Sequence, residues 1–119
     1  MPARVRAASD AEVVAALEEL RRDESSASAL RLLTKHYLAV LAARHPGRSV
    51  EVRVPPYAAV QCVGGARHTR GTPPAVVETD ALTWIRLARG DVAWADAVES
   101  GGVRASGERS DLRTLLPLD

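Results

Sequence analysis

The chain has 119 residues, a formal net charge of +1 and 46% hydrophobic residues. This length suits a single domain over residues 1–119, and the hydrophobic content predicts a packed core and excludes wholesale disorder. Acidic and basic residues are interleaved, so the chain lacks the basic surplus from which nucleic-acid-binding proteins gain their affinity for phosphate. We therefore expect one domain that does not bind nucleic acid.

The cysteine count and the apolar runs indicate the compartment. Cys62 is the only cysteine, which excludes an internal disulfide framework. No apolar run approaches the roughly 18 residues that a transmembrane helix needs, and the basic start of the chain leads into polar residues rather than a signal-peptide core. We expect a soluble, cytoplasmic protein without integral membrane association.

The first half of the chain changes from helical to alternating periodicity. Ser9 and Glu12 form the pattern of a capping box, in which each side chain bonds the other residue's backbone N–H at a helix start. Pro46 and Gly47 stop a second, longer apolar stripe, and Val50 begins an alternation of valines with charged residues. The predicted elements are helices over residues 9–21 and 28–45 and strands over residues 50–54 and 57–63.

The second half consists of shorter elements separated by glycines. Thr79 or Asp80 is predicted to cap a helix that Gly90 ends, and Ser110 or Asp111 to open a final helical turn. The other predicted elements are a long loop over residues 64–74, strands over residues 75–78 and 103–106, and a short helix over residues 91–100. Runs of helices followed by runs of strands are typical of an α+β fold with antiparallel pairing.

No residue pattern in the sequence is typical of catalysis or metal binding. His36 and His45 lie nine residues apart on one predicted helix, which places them on opposite faces, and His68 lies in the long loop without a partner. Cys62 lies in an apolar strand, as a small core residue would, and Ser106 lacks the preceding glycine that a nucleophile elbow requires. We expect no metal, no cofactor and no enzymatic activity.

The loop over residues 64–74 is rich in hydrogen-bond donors. Arg67, His68, Thr69 and Arg70 lie between glycines and prolines, and together they would surround an anionic group. The segment does not match the GxxxxGK[ST] pattern of a phosphate-binding loop, and a plain solvated loop is the alternative. Its length favours binding, because long loops in small domains are often functional.

Four segments of the C-terminal half follow one another in a recognisable order. They are residues 76–80 (VVETD), 83–90 (TWIRLARG), 94–98 (WADAV) and 103–107 (VRASG). This order of strand, helix ending in glycine, short helix and strand ending in glycine resembles the sterol-carrier-protein-2 superfamily, in particular its short bacterial branch. The resemblance implies a small, mainly antiparallel sheet of about four to five strands with helices packed on one face.

The same resemblance implies a non-enzymatic module that binds a small apolar or amphipathic, lipid- or sterol-like ligand between the sheet and the helices. The basic loop in place of one family strand, the short C-terminal helix and the lack of Phe predict a smaller or more open pocket. The candidate lining residues are the apolar side chains of the C-terminal half: Leu82, Trp84, Ile85, Trp94, Val98, Leu112, Leu115 and Leu116.

Two alternatives to the ligand-binding interpretation remain open. The candidate lining residues would equally fill a solid core, because apolar helix faces are usually core. The chain would then be a protein-interaction or regulatory module, working through an exposed apolar patch or a homodimer face. A third interpretation, an accessory subunit of a thiol-cofactor-dependent enzyme, rests on related modules at the C-terminus of mycothiol-dependent maleylpyruvate-isomerase-like proteins.

Overall fold

A computed structural model describes residues 5–65, 75–107 and 110–119 of the chain. Its helices are α1 (Asp10–Arg22), α2 (Ala27–Arg44), α3 (Ala81–Arg89) and α4 (Trp94–Glu99). Its strands are β1 (Val50–Val54), β2 (Ala58–Cys62), β3 (Ala75–Thr79) and β4 (Val103–Ser106), and Arg113–Leu115 form a single 3-10 turn. The predicted order of the elements is confirmed.

The four strands form one sheet in the order β2-β1-β3-β4. The two outer pairs are antiparallel, whereas the central strands β1 and β3 run parallel. A tight turn after Val54, whose carbonyl accepts the N–H of Tyr57 at 3.0 Å, returns the chain directly into β2. Strand β3 therefore pairs with the other edge of β1. The predicted α+β class and mainly antiparallel sheet are confirmed, with a parallel pair at the centre.

The strands bury one face and expose charge on the other. Val50, Val52 and Val54 of β1 are fully buried, while Arg53 is exposed and pairs with the Glu51 carboxylate. This alternation is what a half-buried sheet requires. The helix-covered face shares one hydrophobic core with α2, α3 and α4: Leu33, Leu38, Leu41, Val77, Trp84, Leu87, Ala97 and Val103 are among its buried members.

Side-chain caps and glycines set the helix ends. The Ser9 hydroxyl accepts the Glu12 N–H at 3.2 Å and the Glu12 carboxylate accepts the Ser9 N–H at 3.0 Å, which confirms the predicted capping box. Asp80, rather than Thr79, caps α3 by accepting the Thr83 N–H at 3.1 Å. Gly90 ends that helix in the left-handed conformation, as predicted.

Helix α4 begins at Trp94, three residues later than the sequence indicates. Asp91 is still engaged at the end of α3, where its N–H donates to the Arg86 carbonyl at 2.8 Å. Because this bond closes the turn around Gly90, residue 91 cannot also begin the next helix. Ala93 is the residue before α4, and its side chain offers no cap.

The segment between α2 and β1 passes against the end of β2. The Ser49 N–H donates to the Val63 carbonyl at 3.0 Å, and the Val63 N–H donates to the His45 carbonyl. Gly47, at φ +152°, lies so close to this backbone that an added Cβ would be 2.2 Å from the Gly64 nitrogen. Only glycine fits there, because the obstacle is main chain rather than a movable side chain.

We expect Gly47→Ala to lower the free energy of unfolding by about 3 kcal/mol, since the new methyl group must displace backbone. The matched control is Gly101→Ala. Gly101 also has a positive φ, of +84°, but nothing lies within 4 Å of its added Cβ. That variant should lose only about 1 kcal/mol, the cost of a left-handed alanine. Urea unfolding measures both, and equal losses would contradict the close approach.

Candidate functional site

Two of the predicted lining residues on α3 belong to the core. Trp84 is fully buried, and its indole N–H donates to the Thr34 carbonyl of α2 at 3.4 Å. Ile85 is 2% exposed and belongs to the same buried cluster. Helix α3 carries these side chains inward because it packs on α2, which supplies both the apolar contact and the acceptor for the indole.

Leu82 and Ile85 also border a groove of about 210 Å³ between α1 and α3. Leu17 and Leu20 of α1 line its opposite side. The rim of the groove is charged, and an ion pair between the Arg86 guanidinium and the Glu24 carboxylate, at 2.9 Å, crosses from one side to the other. The groove is therefore narrow and bridged by side chains that are already paired.

Trp94 and Val98 lie in a different place, on a cleft between α4, strand β4 and the C-terminal segment. We call it the α4 cleft; its volume is about 360 Å³ and its lining is Trp94, Ala95, Val98, Glu99, Ala105, Ser110, Asp111 and Arg113. Val98 is 41% exposed there, whereas Trp94 is 7% exposed and belongs to the buried core. The cleft combines an apolar wall with a charged rim.

The α4 cleft opens on the helix-covered face of the sheet. Ala105 of β4 pairs with Val77 of β3, and it points to the same face as that buried valine. Yet Ala105 is exposed, because the six-residue helix α4 leaves the edge strand partly uncovered. The space lies between sheet and helix, as the sequence resemblance implies, but at the sheet edge.

The last three predicted lining residues hold the C-terminal segment to the domain. Leu112 is fully buried, and Leu115 and Leu116 are half-buried against the core. The structure therefore divides the predicted set between the core, the α1–α3 groove and the α4 cleft. Their joint role in ligand binding stays a prediction.

Sequence reasoning missed six of the eight residues that line the α4 cleft, and three of them form its far side. Ala105, Asp111 and Arg113 come from a strand and from the segment after it. Asp111 accepts the Arg113 N–H at 2.9 Å, and their side chains approach to 3.7 Å. Alternation within β4 would have placed Ala105 on the inner face, but only the structure shows that α4 stops short of it.

The predicted anion-binding residues Arg67, His68, Thr69 and Arg70 lie outside the described residues. The described part of the loop ends at residue 65, and the chain resumes at Ala75 in β3. The anion-binding interpretation of this segment therefore stays a prediction.

The helix histidines do not share a site. The His36 ring accepts the Ala8 N–H on Nδ1 at 2.9 Å, which requires that nitrogen to be unprotonated. Burial lowers the pKa of His36, against an opposite influence from Asp119 and Asp10, so the ring is neutral at pH 7. His45 lies at the end of α2. Within residues 5–65, 75–107 and 110–119, no group of His, Cys, Asp or Glu side chains is arranged to hold a metal ion.

Cys62 is a core residue at the end of β2. Its side chain is fully buried, and burial raises the pKa of the thiol to about 11. A thiol with this pKa is almost wholly protonated at pH 7, so it is a poor nucleophile. The structure places the cysteine where its apolar sequence context predicts it.

We expect Cys62 to react with a thiol reagent such as DTNB only as fast as the native protein opens. Reaction should be rapid in guanidinium chloride and slow in buffer at pH 7, because the thiol is both buried and protonated. A variant with Cys62→Ala and Ser106→Cys is the control, since Ser106 is exposed on β4. Equal rates for the two proteins in buffer would show that Cys62 is accessible.

Thr34 is a buried polar residue that sequence reasoning missed. Its side chain is fully buried on α2 near Trp84, and its hydroxyl has no hydrogen-bond partner among the described residues. A buried hydroxyl without a partner destabilises the fold, because it has lost its hydrogen bonds to water. The helical spacing that predicts α2 does not predict the burial of Thr34, since threonine is tolerated on either face of a helix.

We expect Thr34→Val to raise the free energy of unfolding by about 1 kcal/mol, because it keeps the shape and removes the unpaired hydroxyl. Thr34→Ser is the matched control: it keeps the hydroxyl, removes a buried methyl group and should lower stability by about 1 kcal/mol. Thermal and urea unfolding measure both changes. If Thr34→Val destabilises the protein instead, the hydroxyl is satisfied by an ordered water.

A family of bacterial SCP orthologs matches residues 24–118 of the chain. The match extends from just before α2 to the C-terminal segment, and it confirms the resemblance drawn from the sequence. A search among curated proteins found no match. In the described part of the chain, every helix is too short or too polar to cross a membrane.

Proposed function

The chain belongs to the bacterial SCP ortholog family, and from this premise we propose that it binds a small apolar or amphipathic, lipid- or sterol-like ligand without chemistry of its own. Family membership suggests a lipid-binding type of module. The observation that supports a site is the α4 cleft, in which an exposed Val98 lies beside Trp94 and the uncovered Ala105. The proposed compartment is the cytoplasm.

The α4 cleft suits an amphipathic molecule in size and in polarity. Its volume of about 360 Å³ lies at the lower end of the range for small-molecule pockets. The apolar part of a ligand would pack on Trp94 and Val98, and this burial supplies most of the binding free energy. Asp111 and Arg113 at the rim would interact with the polar part and set its orientation.

The core beneath α3 is a poorer location for the ligand. Trp84 already has its indole N–H bonded to Thr34 and its ring buried against α2. A ligand placed there would have to displace packed side chains, at a cost of several kcal/mol. The α4 cleft requires no such displacement, because Val98 and Ala105 are already exposed there beside the largely buried Trp94.

We propose no catalytic role for the nucleophiles of the described chain. Cys62 is protonated and buried, Ser106 is an exposed residue of β4, and within the described residues neither side chain is hydrogen-bonded to a base. A nucleophile needs such a base or a lowered pKa to react. The chain therefore functions by holding a molecule, and its apolar cleft carries that function.

The test uses saturated fatty acids of increasing chain length, each kept below its micelle concentration. We expect a saturable change in Trp emission and a rise in melting temperature, because a ligand that binds only the folded state stabilises it. In a Trp94→Phe variant the remaining Trp84 should no longer report binding, since it lies in the core. Val98→Lys should abolish binding by placing a charge in the apolar wall.

Val14→Lys is the matched control, because Val14 is the other large hydrophobic residue exposed in the described chain, at 55%. Both Lys variants should unfold within about 0.5 kcal/mol of the parent, as surface substitutions usually do. Binding that survives Val98→Lys, or fails equally with Val14→Lys, contradicts the assignment to the α4 cleft. If no lipid binds and Val98→Lys instead dissociates a homodimer in native mass spectrometry, the exposed valine serves protein interaction.

A further inference from the structure

A second cleft, of about 400 Å³, lies between α2 and the segment that leads into α1. We call it the basic cleft; Arg6, Glu12, Ser28, Arg31, Leu32 and Lys35 are among its lining residues. It shares no residue with the α4 cleft. Three of its side chains are cationic and one is acidic, so the lining carries a surplus of positive charge.

A hydrogen bond fixes the position of the N-terminal side of this cleft. The Ala8 N–H donates to Nδ1 of His36 at 2.9 Å, which holds the segment before α1 across the surface of α2. Arg6 lies two residues before this point. Arg31 and Lys35 are one helical turn apart on α2, so they present their charges on the same side.

The protein neutralises the cations of the basic cleft only in part. In the described part of the chain, the ion pairs involve other arginines, and Arg6, Arg31 and Lys35 take part in none. Helix α2 contains no acidic residue along its 18 positions. The Glu12 carboxylate accepts the Ser9 N–H, a bond that lowers its pKa and keeps it ionised, and the charge of Arg6 lowers that pKa further. Glu12 therefore offsets one of the three cations, and the positive charges of Arg31 and Lys35 remain.

Clustering these cations without a bound anion destabilises the folded state. Like charges one helical turn apart repel each other, and a third cation from another segment adds to the repulsion. A local conflict of this kind is expected where a ligand relieves it. An arginine fork and a compact ammonium together suit a tetrahedral oxyanion, which accepts several charge-assisted hydrogen bonds.

We propose that the basic cleft binds a phosphate-bearing anion. Arg6 and Arg31 donate to the phosphate oxygens, Lys35 supplies a point charge, and Ser28 in the first turn of α2 adds a hydroxyl at the positive end of the helix dipole. The half-buried Leu32 offers the adjoining part of the ligand an apolar contact. This site is independent of the proposed ligand of the α4 cleft.

The first arm of the test titrates the full chain with inorganic pyrophosphate at constant ionic strength. Binding should be saturable and should raise the melting temperature, since the anion relieves repulsion present only in the folded state. A variant with Arg31→Gln and Lys35→Gln should bind about tenfold more weakly or worse, while folding as well as the parent. Arg44→Gln is the matched control, because Arg44 is an exposed cation of the same helix outside the cleft.

The second arm distinguishes a soluble phosphate from a lipid headgroup. The parent and both variants are sedimented with phosphatidylcholine vesicles that contain or lack phosphatidic acid. Pyrophosphate binding without sedimentation identifies a soluble anion, and sedimentation that requires both phosphatidic acid and the Arg31–Lys35 pair identifies a headgroup. Pyrophosphate binding that is not saturable, or that Arg44→Gln weakens as much as the double variant, overturns the proposal. Fatty-acid binding at the α4 cleft should be unchanged in the double variant.

Discussion

Helix α2 packs at once against α1, α3 and strand β2, and the rest of the domain is arranged around it. These contacts bury one side of the helix, where the apolar residues Ala29, Leu33, Tyr37, Leu38 and Leu41 lie together with the polar Thr34. The remaining strip of the helix, on the side of the N-terminal segment, is exposed or half-buried. Arg31 and Lys35 lie on that strip, and they supply two of the three cations of the basic cleft.

The C-terminal segment depends on the same helix. The Tyr37 hydroxyl of α2 donates to the Asp119 carboxylate at 3.0 Å, and Arg89 of α3 bonds both groups. The Leu118 N–H also donates to the Ala88 carbonyl at 2.7 Å. These contacts fix the segment whose earlier part carries the rim of the α4 cleft. Packing on α2 therefore supports both clefts, although they use different residues.

Local sequence patterns were sufficient to predict most helices and strands. They did not predict which apolar residues lie in the core and which line a groove or cleft. The Ser9–Glu12 cap and the alternation in β1 depend on neighbours a few residues away, and both were predicted correctly. The environment of Trp84 depends on Thr34, fifty positions earlier in the chain. An apolar helix face has the same sequence pattern whether it packs into a core or binds a ligand. Only long-range packing therefore decides that Trp84 is buried in the core and that Val98 is exposed at the α4 cleft.

The two clefts differ in how much of their lining lies within the region that matches the family. It begins at residue 24, after α1, so all of the α4 cleft lies within the matched region. The basic cleft combines matched residues of α2 with Arg6 and Glu12, which precede the match. A ligand of the α4 cleft would accordingly contact only residues within the family-matched region. An anion in the basic cleft would also need the N-terminal segment, which the hydrogen bond to His36 holds in place. Because α2 contributes to both arrangements through opposite sides, a substitution on its basic strip leaves its buried side, and with it the α4 cleft, intact.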